Sequence, residues 1–120
     1  MPAPETFLNT KIQEEITGVA DQLIKHDRYI EALCGQINPH YDVLLRNIPL
    51  YSKRKRLVGE IDVLAIKDDY CDIYEVKCSY RVVKAKRQLL KIRKLLKSQK
   101  KVRNSCFFCG ESGKIEVIKN

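Results

Sequence analysis

The sequence has little that would place the chain in a membrane or outside a cell. Its longest apolar stretches are well short of the roughly 20 residues that a membrane-spanning helix needs. Residues 1–7 lack the basic start and the apolar core of a signal peptide. From these absences we expect an intracellular, cytoplasmic protein without a membrane partner.

Cysteine is present, but its number and spacing argue against a disulfide framework and against a zinc site. The five cysteines are an odd number, and no secretion signal accompanies them. Cys106 and Cys109 have the spacing of half a zinc site, but the sequence offers no second close pair of cysteine or histidine. His26 and His40 stand alone. We therefore expect buried thiols, or a disulfide if the source is a hyperthermophile.

Internal repeats, low-complexity stretches and interdomain linkers are also missing from the 120 residues. A chain of this length fits one domain with a single core, here residues 1–120. The hydrophobic content of 44% indicates a folded globule, and the charged content of 32% indicates a soluble one.

Acidic residues are absent from residues 81–103, which hold eleven basic ones. A second basic run at residues 53–56 adds four more, so 15 of the 23 lysines and arginines lie in two segments. The rest of the chain has 8 basic and 15 acidic residues, although the net charge is +8. This concentration of charge indicates a polyanion as partner. The alternative is a solvated, lysine-rich helix with no ligand.

The spacing of apolar residues predicts the order helix, three strands, helix, two strands. Helical spacing predicts helices at residues 9–25, around 28–36 and at 81–101. Short apolar runs bounded by turn residues predict strands at 41–46, 57–66, 71–78, 105–109 and 114–118. The short turn after the second strand makes an antiparallel hairpin with the third. The expected fold class is α/β (α+β), a mixed central sheet flanked by helices.

Charged side chains interrupt two of these apolar strands. Asp62 lies in the second strand, and Glu75 and Lys77 lie in the third. Side chains two residues apart on a strand share a face, so Glu75 and Lys77 project together. If the two strands are neighbours in one sheet, we expect Asp62 to join them within a few ångströms.

Two carboxylates crowded beside an ammonium group predict a site for a hard divalent cation. Asp62 and Glu75 would bind Mg²⁺, or Mn²⁺, with the backbone carbonyl of Val76 as a third ligand. Lys77 would lie near an attacking water or a phosphate. Without a metal the carboxylates repel each other, so the pKa of at least one should rise. This chemistry predicts phosphodiester hydrolysis.

The alternative for these residues is an exposed sheet face that carries a cross-strand ion pair, worth roughly 0–1 kcal/mol. Apart from the charged positions, both faces of these strands are apolar, which argues for a covered sheet. The residues that show this are Val63, Leu64, Ile66, Ile73 and Val76.

Asp62 followed by Glu75, Val76 and Lys77 resembles the motif of the PD-(D/E)xK nucleases, the restriction-endonuclease-like superfamily. Glu60 and Ile61 stand where the motif's proline would be. The resemblance implies an αβββαβ core, in which Asp62, Glu75 and Lys77 are the motif residues. It is nearest to archaeal Holliday-junction resolvases and to short archaeal or viral nucleases, so an archaeal, viral or plasmid origin is among the expectations.

Many members of this superfamily add an acidic residue from the first helix. Glu15 lies about 60° from Ile12 on a helical wheel and so borders the apolar face, whereas Glu14 points to solvent. Glu15 is therefore the best placed candidate for a fourth catalytic residue, with Glu14 and Glu60 left as alternatives.

The resemblance also implies that the basic segments hold DNA by its backbone, without reading the bases. The candidate nucleic-acid-binding residues are Lys53, Arg54, Lys55, Arg56, Lys84, Arg87, Gln88 and Lys91. A symmetric homodimer would let two active sites cut both strands. We expect a metal-dependent deoxyribonuclease, an endonuclease acting on branched or duplex DNA. A non-catalytic nucleic-acid-binding module of the same fold, an RNA-directed nuclease and an exonuclease stay open, as does an ion-paired α/β domain that binds a protein.

Overall fold

The computed structural model of the chain describes the backbone of residues 10–97 and 101–119, and within these ranges the side chains from residue 24 onward. The elements are α1 (Thr10–Ile37), a single 3-10 turn (Asn38–His40), β1 (Val43–Tyr51), β2 (Leu57–Lys67), β3 (Tyr70–Lys77), α2 (Val82–Leu96), β4 (Val102–Cys109) and β5 (Lys114–Ile118). The predicted order of helices and strands is confirmed.

The five strands form one mixed sheet in the order β1-β2-β3-β4-β5. Strands β3 and β4 are parallel, and the other three neighbouring pairs are antiparallel. A parallel pair needs a crossover connection, and α2 supplies it between β3 and β4. The charged strands β2 and β3 therefore lie inside the sheet, as the expected α+β architecture requires.

Each face of the sheet is covered by one helix. On one face, α2 buries the side chains that recur at helical spacing, namely Ala85, Leu89, Ile92 and Leu96. On the other face, the C-terminal half of α1 buries Ile30, Leu33, Cys34 and Ile37. Burial of these apolar surfaces is the main stabilising contribution to such a layered fold. Four of the five cysteines are buried, as expected for thiols in a core: Cys34, Cys71, Cys106 and Cys109.

The two helices predicted at residues 9–25 and 28–36 are wrong as separate elements, because α1 is continuous from Thr10 to Ile37. The residues between them include neither proline nor glycine, so nothing ends the helix there. Glycine at position 35 is tolerated inside the helix, and the chain turns only at Asn38 and Pro39.

Strand β1 is longer than predicted and runs through Pro49 to Tyr51. Proline lacks a backbone N–H, but β1 is an edge strand, where one side of the backbone has no partner strand. The basic segment at residues 53–56 forms the tip of the β1–β2 hairpin, where the backbone N–H of Ser52 donates to the carbonyl of Arg56 at 2.8 Å.

Helix α2 ends at Leu96 and not near residue 101, and β4 begins at Val102, three residues earlier than predicted. The carbonyl of Lys101 accepts a hydrogen bond from the N–H of Cys71 at 2.8 Å, so this part of the chain already pairs with β3. The spacing of apolar residues alone could not show that Lys101 bonds to β3 and does not continue α2. Within the described ranges, neither helix is long and apolar enough to cross a membrane.

Candidate active site

The candidate site lies where the pairing of β2 with β3 stops. The ladder between these strands runs from Lys67–Tyr70 to Val63–Tyr74 and goes no further. Beyond it, the carboxylate of Asp62 takes the place of a partner strand, because its Oδ2 accepts a hydrogen bond from the N–H of Val76 at 2.8 Å. The sheet thus opens at this point without leaving a buried backbone donor unpaired.

Two buried carboxylates face this opening. The exposed fractions of Asp62 and Glu75 are 6% and 4%, so both are almost withdrawn from water. Lys77 Nζ lies 3.1 Å from Glu75 Oε2, as expected for side chains two apart on one strand. The structure therefore brings Asp62, Glu75 and Lys77 together, and it does so between covered faces and not on an exposed sheet surface.

The electrostatics of the opening raise the pKa of Glu75 to about 7. Burial is the largest cause, and the negative charge of Asp62 adds to it, while Lys77 and His26 act in the opposite direction. The rise in a carboxyl pKa that we expected for the metal-free site is found at this residue. A buried carboxyl group with a pKa raised toward neutrality, beside a lysine, is a candidate for a functional site.

Sequence reasoning missed His26, which α1 brings to the same opening. Its Nε2 lies 3.1 Å from the carbonyl oxygen of Val76 and 3.6 Å from Asp62 Oδ2. The contact with the Asp62 carboxylate raises the pKa of His26, and burial opposes that rise. Both backbone groups of Val76 therefore bond to side chains of this site. Its carbonyl accepts a hydrogen bond from His26, and its N–H donates one to Asp62.

The sequence did contain a signal for His26. It follows Leu23 by three residues and precedes Ile30 by four, so it falls at the helical spacing of the apolar stripe. A histidine at such a position faces the sheet once the two predicted helices are joined into one.

Glu15 lies on α1, but its side chain is outside the described residues, and its role stays a prediction. It precedes His26 by eleven residues, a separation of about 16 Å along a helix axis. On α1, the side chain of His26 makes polar contacts with Asp62 and Val76.

The donors present fit a hard divalent cation in their chemistry. Asp62 and Glu75 offer carboxylate oxygens, Val76 offers a carbonyl oxygen, and neutral His26 offers a nitrogen that suits Mn²⁺ and other transition metals. Among the described residues, no three His, Cys, Asp or Glu side chains already form a metal-binding group, and Glu75 is paired with Lys77.

The predicted nucleic-acid-binding residues lie on two surfaces. Lys53, Arg54, Lys55 and Arg56 are exposed at the tip of the β1–β2 hairpin, and Lys84, Arg87 and Lys91 are exposed on α2. Gln88 is half-buried, and its Oε1 is enclosed without a hydrogen-bond partner in the part of the chain that the structure describes. The hairpin tip leads into β2 and α2 follows β3, so both segments are joined to the strand ends nearer the opening.

Comparison of the sequence with models of known families found no match, and comparison with curated proteins found none either. The functional assignment is therefore argued from the residues and their geometry.

Proposed function

We propose that this chain is a metal-dependent nuclease that hydrolyses DNA phosphodiester bonds, and that it is an endonuclease acting on branched or duplex DNA. The observation that carries the proposal is the set of buried Asp62, Glu75 and Lys77 at the point where two internal strands separate. A buried acidic pair is costly to keep in a purely structural role, because each charge loses its hydration.

The fold supports the same proposal. The resemblance implies a core of a helix, three antiparallel strands, a helix and a further strand, and the elements of this chain follow the same order. Strand β5 extends this arrangement at the edge. Fold alone does not define activity, so the argument depends on the site.

A bound Mg²⁺ or Mn²⁺ would polarise the phosphate and lower the pKa of a coordinated water. Asp62, Glu75 and the Val76 carbonyl would hold this cation. Neutral His26 would add a nitrogen ligand once its Nε2 no longer donates a hydrogen bond to that carbonyl. Lys77 is fixed against Glu75 with its side chain 19% exposed. From there its ammonium group can orient the attacking water or offset the negative charge that develops on the phosphate.

The basic residues would hold the DNA backbone around this site. The hairpin tip begins after Tyr51 and ends before Leu57, about 17 Å along β2 from Asp62. Its four basic side chains can therefore contact phosphates that are several nucleotides from the one that is cut. Contacts of this kind give salt-sensitive binding with little dependence on sequence.

We also propose that the active form is a homodimer, because one site of this kind cuts one strand. Within the described residues β5 is a sheet edge, and Ile115 and Val117 on it are 37% and 53% exposed. An edge strand with exposed apolar side chains can pair with a second copy.

The test is a cleavage panel of branched, duplex and single-stranded DNA, with RNA as a further substrate, in Mg²⁺, in Mn²⁺ and in chelator. Asp62→Ala and Lys77→Ala should abolish metal-dependent cutting while DNA affinity is largely kept. Lys67→Ala is the matched control, because Lys67 also pairs with a carboxylate, Asp42 at 3.3 Å, but on an exposed surface.

Each outcome of this panel separates the alternatives. Binding without cutting in either metal would favour the non-catalytic module, and cutting confined to RNA would favour an RNA-directed nuclease. Undiminished cutting by both Asp62→Ala and Lys77→Ala would refute the assignment of the site.

A further inference from the structure

A groove of about 400 Å³ opens at the start of α2, close to the candidate active site. Its lining consists of Tyr80, Arg81, Val82, Val83, Lys84 and Arg87. Tyr80 follows Lys77 by three residues, so their Cα atoms are at most about 11 Å apart. The groove is within the size range of small-molecule sites and lies within one or two nucleotides of the proposed reaction.

Tyr80 is exposed and yet fixed in position. Its exposed fraction is 63%, but its hydroxyl donates a hydrogen bond to Glu116 Oε2 at 2.9 Å. Its ring also makes an edge-type contact with the Phe107 ring, with centroids 5.6 Å apart and an angle of 62° between the planes. Because β4 and β5 already hold the ring, a ligand that stacks on it would lose little conformational entropy.

Three basic side chains surround this ring. Arg81, Lys84 and Arg87 are exposed, and none of them forms an ion pair with another residue in the described ranges. Val83, which is 65% exposed, adds an apolar contact surface. A fixed aromatic ring flanked by unneutralised cations is the arrangement by which proteins bind single-stranded nucleic acid.

The face of a base is accessible to such a ring only where the base is not stacked within a duplex. A continuous duplex would present phosphates to the three cations but no base face to Tyr80. The groove therefore distinguishes an unpaired strand from a paired one by contact with the base itself.

We propose that this groove binds an unpaired nucleotide of the DNA substrate, with the base stacked on Tyr80 and the adjacent phosphates on Arg81, Lys84 and Arg87. The substrate then carries a single-stranded segment next to the phosphate that is cut, as in a flap, a branch or a free strand. This inference rests on the proposed nuclease function and adds the structure of the substrate to it.

The test measures binding of a fluorescein-labelled oligothymidylate by anisotropy in chelator, so that no cleavage occurs. A strand of equal length without bases and a duplex serve as comparison ligands. We expect the wild-type protein to bind the oligothymidylate about fivefold to a hundredfold more tightly than the strand without bases. Tyr80→Ala and Tyr80→Leu should remove this preference, and Tyr80→Phe should keep most of it.

Tyr51→Ala is the matched control, because Tyr51 is 61% exposed and lies outside the groove. This variant should keep the preference for bases. A second measurement uses 2-aminopurine within the strand, whose fluorescence should fall on binding to the wild type and Tyr80→Phe but not to Tyr80→Leu.

Equal affinity for strands with and without bases would overturn the proposal, as would a preference that survives in Tyr80→Leu. The failure of the nuclease assignment is recognised separately. If the chain prefers strands with bases but cuts nothing in either metal, the nuclease assignment is wrong and the proposed nucleotide-binding groove is supported. If it cuts continuous duplex equally well with and without Tyr80, the proposed role of the groove is wrong and the nuclease assignment is supported.

Discussion

At the scale of single residues, β3 carries two buried carboxylates with opposite pKa shifts. Asp72 is 1% exposed, and it is held by Arg103 at 2.6 Å, by the Tyr41 hydroxyl and by the N–H of Asn104 at 2.9 Å. Burial would raise the pKa of Asp72, but these hydrogen bonds outweigh it and lower the pKa. Glu75 is paired with Lys77 and has its pKa raised to about 7. Asp72, whose charge is offset by several hydrogen bonds, has a structural role. Glu75, whose buried charge is only partly offset by Lys77, is suited to bind a ligand.

The raised pKa of Glu75 predicts a pH-dependent stability cost in the metal-free protein. Between its ordinary value of 4.5 and about 7, the folded state holds more protons than the unfolded state. This contribution therefore reduces stability as the pH rises through that window. Glu75→Gln should be more stable than wild type at pH 8, by an amount of order 3 kcal/mol, and similar at pH 4.

Urea unfolding in chelator at the two pH values measures this difference. Glu111→Gln, a substitution at an exposed position, is the control and should change stability little at either pH. A Glu75→Gln variant that is no more stable than wild type at pH 8 would contradict the raised pKa.

Asp72 should behave in the opposite way. Because its folded-state pKa is lower than its unfolded value, it stabilises the fold above the unfolded pKa and loses this effect as the pH falls through the folded pKa. Asp72→Asn should reduce the free energy of unfolding at pH 7 by about 2 kcal/mol, because it weakens the hydrogen bonds of a buried carboxylate to Arg103, whose own side chain is 48% exposed. Thermal or urea unfolding measures the loss.

Asp69→Asn is the matched control for this prediction. Asp69 pairs with Lys101 at 3.7 Å, but both side chains are about 80% exposed. Such pairs contribute roughly 0–1 kcal/mol. Equal losses in the two variants would show that Asp72 has no special structural role.

At the scale of elements, the position of α1 decides whether His26 reaches the site. Tyr29, one turn after His26, packs directly on Gly110 at the end of β4. A Cβ atom on Gly110 would lie 2.3 Å from the Tyr29 ring, closer than such contacts ever are. The missing side chain of Gly110 therefore allows the helix to approach the sheet at the level of the active site.

Gly110→Ala should push α1 away from the sheet near His26. We expect a loss of about 1–3 kcal/mol of stability, as for other overpacked sites, together with reduced metal-dependent cutting. The double variant Gly110→Ala with Tyr29→Ala should recover part of the cutting, because it removes the clash. Unfolding and cleavage rates measured on the same preparations check both effects.

Gly35→Ala is the control, since a Cβ at position 35 meets nothing within 4 Å. Replacement of a helical glycine by alanine should be neutral or stabilising by up to about 1 kcal/mol. If Gly110→Ala were equally harmless, the contact with Tyr29 could not be what sets the distance of α1.

At the scale of the whole molecule, we expect two copies to associate through the β5 edge. Sedimentation should give a species of twice the 14.0 kDa chain mass at the protein concentrations used in the cleavage assay. Val117→Lys should shift this species to the monomer and convert double-strand cutting into nicking.

A matched substitution at the opposite edge, Leu45→Lys on β1, replaces a side chain that is 41% exposed and should leave the association intact. A single monomeric species across cleavage-active concentrations would count against the dimer. If Leu45→Lys abolished the association and Val117→Lys did not, the interface would lie on β1 and not on β5.

The sequence predicted most of the architecture and four of the five candidate site residues that the structure describes. His26 is the one it missed. A period of two along β3 was enough to place Glu75 beside Lys77, and short connections were enough to pair neighbouring strands. The extent of β1 was not predictable, because Pro49 ends a strand inside a sheet but not at an edge. The end of α2 was missed because Lys101 leaves the helical pattern to bond Cys71 on β3.

By itself, the sequence determined what depends on neighbouring residues: the order of the elements, the shared face of Glu75 and Lys77, and the two basic segments. Only the tertiary structure decided that the β2–β3 ladder stops at Val63 and Tyr74, and that His26 enters the gap. His26 and Val76 are 50 residues apart along the chain. Their contact depends on how closely α1 packs on the sheet, and no local pattern encodes that distance.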